Sequence, residues 1–477
     1  MIPARFSVAL AAALLAATPA AADKAKDAAD LCVNGSGQPA VDACTWAIQS
    51  GQWTGADLEW AFYDRGNAYY YLDQYGKAIT DFDTALELAP GDADAWGNRG
   101  NVYRAMSQYD RAIQDLDHAL AIRPGAFDFA NRGGAYAGLG QYDAAIADYD
   151  QAIALKPDFA EAINSRGVTY DDMGQYARAI EDYNKAIQLK PDYDLAYNNR
   201  GNAYNSLGEY DTAIADFDKA LKLKPDYAEA YSDRGNSYED KQQYERAIQD
   251  YDQALKLKPD YAFAFNNRGI AYDDMGQYAR AIQDYDQAIK LKPDFAFAFN
   301  NRGNAYKGLG QYDRAIADYN EAVRIKPDYG LAFRNRGGAF LRLGKYAEAI
   351  DSDTQSITLA PDKSEGYNER CWARAVWGQQ LEQALTDCNT AVRLAPADAN
   401  TVDSRGFVNF RMGNYAAAIA DDSTALAIDA KSASSLYVRG LARHKSGDAA
   451  GGDADIAAAK AIDPKIADTY AGYGVTP

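Results

Sequence analysis

From residue 57 onward, apolar residues recur at helical spacing in short stretches, separated by breaks marked with glycine or proline. The unit from Pro191 to Pro225 shows the pattern. Leu195 to Leu207 carries apolar residues three and four apart, Gly208-Glu209 interrupts it, and Tyr210 to Leu223 resumes it. Lys224-Pro225 ends the second stretch, because proline stops a helix at or before the residue that precedes it. The spacing predicts two antiparallel helices joined by a tight turn. One such hairpin cannot bury its apolar stripe alone, so neighbours must stack into a continuous core.

The same unit returns along most of the chain. An arginine in the first helix recurs at Arg65, Arg99, Arg132, Arg166, Arg200, Arg234, Arg268, Arg302, Arg336, Arg370, Arg405 and Arg439, and prolines from Pro90 to Pro464 keep the same beat. Glycine usually follows the arginine, as at Gly201 and Gly303, and alanine stands near the start of each second helix, as at Ala213 and Ala315. Both mark close helix approach, where a bulky side chain would cost about 1–3 kcal/mol. Most of the 36 tyrosines fall into three register slots: late in the first helix (Tyr204, Tyr306), opening the second (Tyr210, Tyr312) and inside it (Tyr183, Tyr319). An aromatic stripe at fixed repeat positions is read as packing.

This pattern of Gly, Tyr, Gly-x-Tyr, Ala, Tyr/Phe, Ala and Pro every 34 residues resembles the tetratricopeptide repeat. The resemblance implies an all-α, right-handed superhelical solenoid of helix-turn-helix repeats. Its concave groove, lined by the first helices, is where partner peptides bind in that family. The expected division is a leader at 1–22, a degenerate capping repeat at 23–56, twelve repeats at 57–464 and a cap or tail at 465–477. Asp353 and Asp422 break the internal aromatic slot and the last copy, around Gly452, has lost most aromatics, so packing is expected to loosen from about residue 350.

The N-terminus adds a compartment. Arg5, an apolar run from Phe6 to Ala17 and Ala20-Ala21-Ala22 resemble a cleavable secretory signal, too short to span a bilayer. The four cysteines fall in two local pairs, Cys32/Cys44 and Cys371/Cys388. Cys371 stands in a small first-helix position and Cys388 in the internal aromatic slot of the same hairpin, so these two are expected to face one another. Cys32 and Cys44 flank the Asn34–Pro39 loop. Two disulfides and an exported, periplasmic or secreted chain follow as expectations.

Charge narrows the chemistry. A formal charge of −19 disfavours nucleic acid, and His118 and His444 are the only imidazoles. No phosphate-cradling loop, zinc-protease motif or serine elbow occurs, so no enzyme, cofactor or metal is expected. An aspartate recurs before the internal slot (Asp81, Asp115, Asp148 and onward to Asp455), in register with the arginines. A salt-bridge ladder is the favoured reading, against solvated charges or an anion-binding groove. Candidate peptide-binding positions on the first helices are Phe263 and Asn266; Phe297, Asn300, Asn304 and Lys307; and Leu331 and Arg334, with Asn198 and Asn202 extending the amide track. The aromatic first repeat (Trp60, Tyr63, Asn67, Tyr70, Tyr71) is explained equally well by contact with a cap. The functional expectation is a protein-interaction scaffold of the bacterial envelope with a protein or peptide partner. The alternatives are a periplasmic chaperone or secretion adaptor, and a structural subunit of a polysaccharide-export or outer-membrane complex.

Overall fold

The computed structural model describes the backbone of residues 19–476 and the side chains of residues 24–476. The expected leader at 1–22 lies almost wholly outside the described residues. All regular structure among the described residues is helical. The chain divides into two compact units, residues 1–237 and 238–477, with the boundary inside the helix Ala228–Asp240. Within each unit the elements are successive hairpins. In the unit read first from the sequence they are Asp194–Ser206 and Tyr210–Leu223. The turn between them needs one left-handed residue, supplied by Gly208 at φ +77°.

The glycine after each arginine is where the two helices of a hairpin come closest. A Cβ placed on Gly303 would lie 2.6 Å from the ring of Tyr319, and one on Gly201 would lie 2.7 Å from the ring of Phe217. The opening alanines, Ala213 and Ala315 among them, are fully buried. Of the three tyrosine slots the internal one is the most deeply buried, as Tyr183, Tyr285 and Tyr319 show, although Tyr238 of the late first-helix slot is buried too. Other late first-helix tyrosines are half-buried beneath cations: Tyr306 lies 6.0 Å from Arg302 and 5.6 Å from Arg314. They shield the charge ladder as much as they fill space.

The ladder itself is present. Arg200 donates through Nε and Nη2 to the two oxygens of Asp216, at 2.7 and 2.6 Å. The same fork recurs from Arg65–Asp81 to Arg439–Asp455. The third nitrogen, Nη1, reaches back to the preceding second helix, onto Asp83, Asp150, Asp252 or Asp286 for Arg99, Arg166, Arg268 and Arg302. Each such guanidinium therefore ties three helices, and an anion-binding groove of unpaired arginines does not exist here. The hydrogen bond to Asp216 holds the Arg200 pKa above the usual arginine value. Arg336 has Ser352 where the others have aspartate, and burial pushes its value down instead.

Both disulfides form. Cys32–Cys44 closes the hairpin of Pro19–Asn34 and Gly37–Gln49, with Cα atoms 4.8 Å apart. Cys371–Cys388 spans 5.5 Å between Cα atoms and takes the place of the glycine–aromatic contact of its hairpin.

The expected loosening after residue 350 does not occur. Residues 371–475 hold the most extensive apolar cluster among the described residues, including Phe407, Tyr437 and Leu441. The reason lies at the C-terminus. Helix Ile466–Gly472 turns Tyr470 inward, with ring centroids 5.2 Å from Phe407 and 5.1 Å from Tyr437. Tyr473 reaches Trp372 at 6.0 Å, and its carbonyl accepts a hydrogen bond from Arg411. Aromatics from elsewhere thus replace those missing from the internal slot. Asp353 and Asp422 remain in that slot, against Gly337 and Gly406, and neither carboxyl oxygen of Asp422 nor Oδ1 of Asp353 has a hydrogen-bond partner among the described residues. Burial drives both carboxyls well above the usual range.

Two outcomes follow. Arg200→Gln leaves buried Asp216 unpaired and is expected to cost about 3–5 kcal/mol, with Arg200→Lys restoring only part of the thermal midpoint because ammonium cannot reproduce the fork. Asp422 has the opposite sign. An unfolded aspartate ionises near about 4, whereas the native carboxyl keeps its proton to higher pH, so the native state binds more protons and stability falls as pH rises through that window. Asp422→Asn should therefore raise the thermal midpoint more at pH 8 than at pH 5; an equal gain at both would contradict the buried acid.

Candidate docking face

The first helices Ala262–Asp274, Ala296–Gly308 and Gly330–Arg342 place Phe263, Phe297 and Leu331 at the same register, one residue after the helix start. The three are 52, 47 and 43% exposed. The phenylalanines are not isolated. Phe263 meets Phe295 at 5.0 Å and Phe297 meets Tyr329 at 5.1 Å, edge to face, while Tyr261–Phe263 and Phe295–Phe297 lie 6.5 and 6.4 Å apart. A continuous aromatic ribbon thus runs across three repeats, with Phe263 and Phe297 about half exposed and Phe295 buried. The inner members, Tyr261, Phe295 and Tyr329, come from the loop before each first helix. Sequence reasoning did not single them out, although an aromatic directly after Pro-Asp recurs at Tyr193, Tyr227, Tyr261 and Phe295.

The amide candidates are placed differently. Asn266, Asn300 and Asn198 are buried. Asn301 donates to Asn266 Oδ1 at 3.1 Å and Asn335 to Asn300 Oδ1 at 2.9 Å, so these amides join one first helix to the next. Asn198 and Asn202 both donate to Asp233 at 3.0 Å within the first unit. Asn304 accepts from the Tyr319 hydroxyl at 2.7 Å. The expected amide track exists, but as an internal seam: a buried amide needs partners, and a neighbouring repeat provides them.

Cations lie further along the same first helices. Leu331 and Arg334 line a recess of about 340 Å³, where Arg334 lies 3.9 Å from Glu365. Burial lowers the Lys307 pKa, with Glu369 and Asp273 opposing. Burial raises that of Glu369, with Arg334, Lys307 and Arg342 opposing. Arg342 and Glu369 were not anticipated, since their proximity to Lys307 depends on stacking between repeats. These three cations thus meet several carboxylates, Glu369, Glu365 and Asp273 among them.

Models of the tetratricopeptide repeat match residues 63–127, 133–174, 170–208, 201–242, 235–276, 262–295 and 296–329, together more than half of the chain. The chain belongs to the tetratricopeptide repeat family. Tetratricopeptide repeat proteins act as scaffolds for protein–protein interaction, and the hairpins above are their structural unit. Among solved structures, the APC/C hetero-tetramer Cut9–Hcn1 is similar at 15% identity over 90% of this chain and 97% of that one, with a TM-score of 0.47. MamA is 29% identical over 34% of this chain and 94% of its own, at a TM-score of 0.31. A tetratricopeptide repeat protein from Parabacteroides merdae ATCC 43184 is 19% identical over 52% of this chain and 98% of its own, at 0.42. No curated protein matches the chain.

The seam between tetratricopeptide repeats is testable apart from binding. Asn335→Ala leaves the buried Asn300 oxygen without its donor and is expected to cost about 1–3 kcal/mol in a urea melt. An unchanged midpoint would mean that the amide contributes nothing to stacking.

Proposed function

We propose that this chain is a non-enzymatic scaffold of the bacterial envelope, which docks a partner protein through an extended peptide laid on the first helices of its second unit. The observation that carries the reading is the half-exposed aromatic ribbon of Phe263 and Phe297, on consecutive first helices. Apolar side chains of the peptide would cover the exposed ring faces. The envelope assignment rests on the secretory-type N-terminus and on two disulfides, which persist in oxidising compartments.

Proximity labelling in the periplasm tests both parts. The full-length protein should enrich a small set of envelope proteins, and Phe263→Ala combined with Phe297→Ala should remove the strongest of them while the thermal midpoint changes little, since both side chains are half in solvent. An unchanged partner set would rule out this face.

A further inference from the structure

The first unit holds a second feature, built from different repeats. First helices Glu59–Tyr71, Ala93–Ala105 and Ala126–Gly138 enclose a recess of about 340 Å³, at the lower end of the roughly 300–1,000 Å³ typical of small-ligand sites. Its walls are aromatic. Tyr63 is buried edge-on against Phe82, and its hydroxyl accepts a hydrogen bond from Asn98 at 2.9 Å, which fixes the ring. Tyr71 and Phe127 stand exposed at the rim.

The recess also holds two carboxylates in unequal states. Asp94 is paired with Arg123. Asp128 makes no hydrogen bond or ion pair among the described residues. Its carboxylate lies against Gly97 and Gly125, where a Cβ on either would come within 2.3 Å of a carboxylate oxygen. Two successive repeats have therefore given up a side chain to admit this one acid. Its place in the first helical turn accounts for an acid but not for the cradle around it. Burial and the neighbouring Asp94 raise its pKa to about 6, against Arg123. At neutral pH it is mainly ionised and partly desolvated, and Arg123, the cation that acts on it, is already paired with Asp94.

We propose that this recess binds the side chain of a partner's arginine or lysine, with the alkyl stem against Tyr63, Tyr71 and Phe127 and the cationic head at Asp128. Aromatic faces attract cations, and long basic side chains lay their stems on apolar surface. An anion would meet Asp128 unfavourably, and a neutral ligand would leave its charge uncompensated.

Isothermal titration of the full-length chain with acetyl-Ala-Arg-Ala-amide, acetyl-Ala-Lys-Ala-amide and acetyl-Ala-norleucine-Ala-amide decides the matter. The cationic peptides should bind at least about tenfold more tightly than the norleucine peptide. Asp128→Asn should abolish that preference without lowering the thermal midpoint. If Asp128→Asn does not fold, Tyr71→Ala at the exposed rim takes its place and must weaken both cationic peptides severalfold. Equal binding of the norleucine peptide, binding of acetyl-Ala-Glu-Ala-amide or maltotriose in its stead, no binding at all, or a preference that survives Asp128→Asn would each overturn the proposal. The Phe263→Ala, Phe297→Ala variant must bind the cationic peptides as the parent does, so this site and the aromatic ribbon stand or fall separately.

Discussion

The structure depends on a guanidinium that spans three helices. Within its own hairpin it forms a two-pronged bond to a buried aspartate, and its remaining nitrogen bonds to the preceding repeat. Dispersion and apolar burial hold a hairpin together without direction, whereas this fork has a fixed plane and length. It sets the register of the second helix against the first and the pitch between repeats with the same atoms. The aspartates are nearly inaccessible, so the bond cannot be exchanged for water at little cost. Arginine here replaces the apolar residue usual in the family, and its tyrosine neighbours cover it rather than the core.

Opposite the ladder, the glycine–aromatic contact shows how much substitution one slot tolerates. Tyr319 on Gly303 becomes a disulfide at Cys371–Cys388 and a buried acid at Asp353 and Asp422. Each solution fills the same small gap by different chemistry. The buried acids are the costly one, and they occur where the C-terminal helix or neighbouring aromatics add compensating contact. The second unit thus carries both its most strained polar groups and its densest apolar packing.

Hairpin boundaries, the ladder and the cysteine pairs were legible in the sequence because each is decided by residues within one repeat. Tyr210 to Leu223, read from spacing, matches the observed helix. What depends on residues about 34 positions away was less legible. Asn266 and Asn300 looked like groove residues on a helical wheel and proved to be the seam, since their partners Asn301 and Asn335 lie in the following repeat. The third arginine bond was readable in principle, as Asp83, Asp150, Asp252 and Asp286 recur in register, but an acid on an exposed face looks the same whether paired or solvated. Tyr470 and Tyr473 read as a cover for the last hairpin, but not for the hairpins before it. Nothing local says that a tyrosine beyond the last repeat will reach Phe407.

That reach changes how the chain can come apart. A stack of repeats unravels from its ends, because a terminal repeat has a neighbour on one side only. Here the last short helix touches Tyr437 of the final hairpin and Phe407 of the one before, and Tyr473 behind it touches Trp372 one hairpin further back. The segment works as a latch across three hairpins, so a pull on the C-terminus is shared among them at once, and the end of the chain resists unzipping as a block instead of peeling away repeat by repeat.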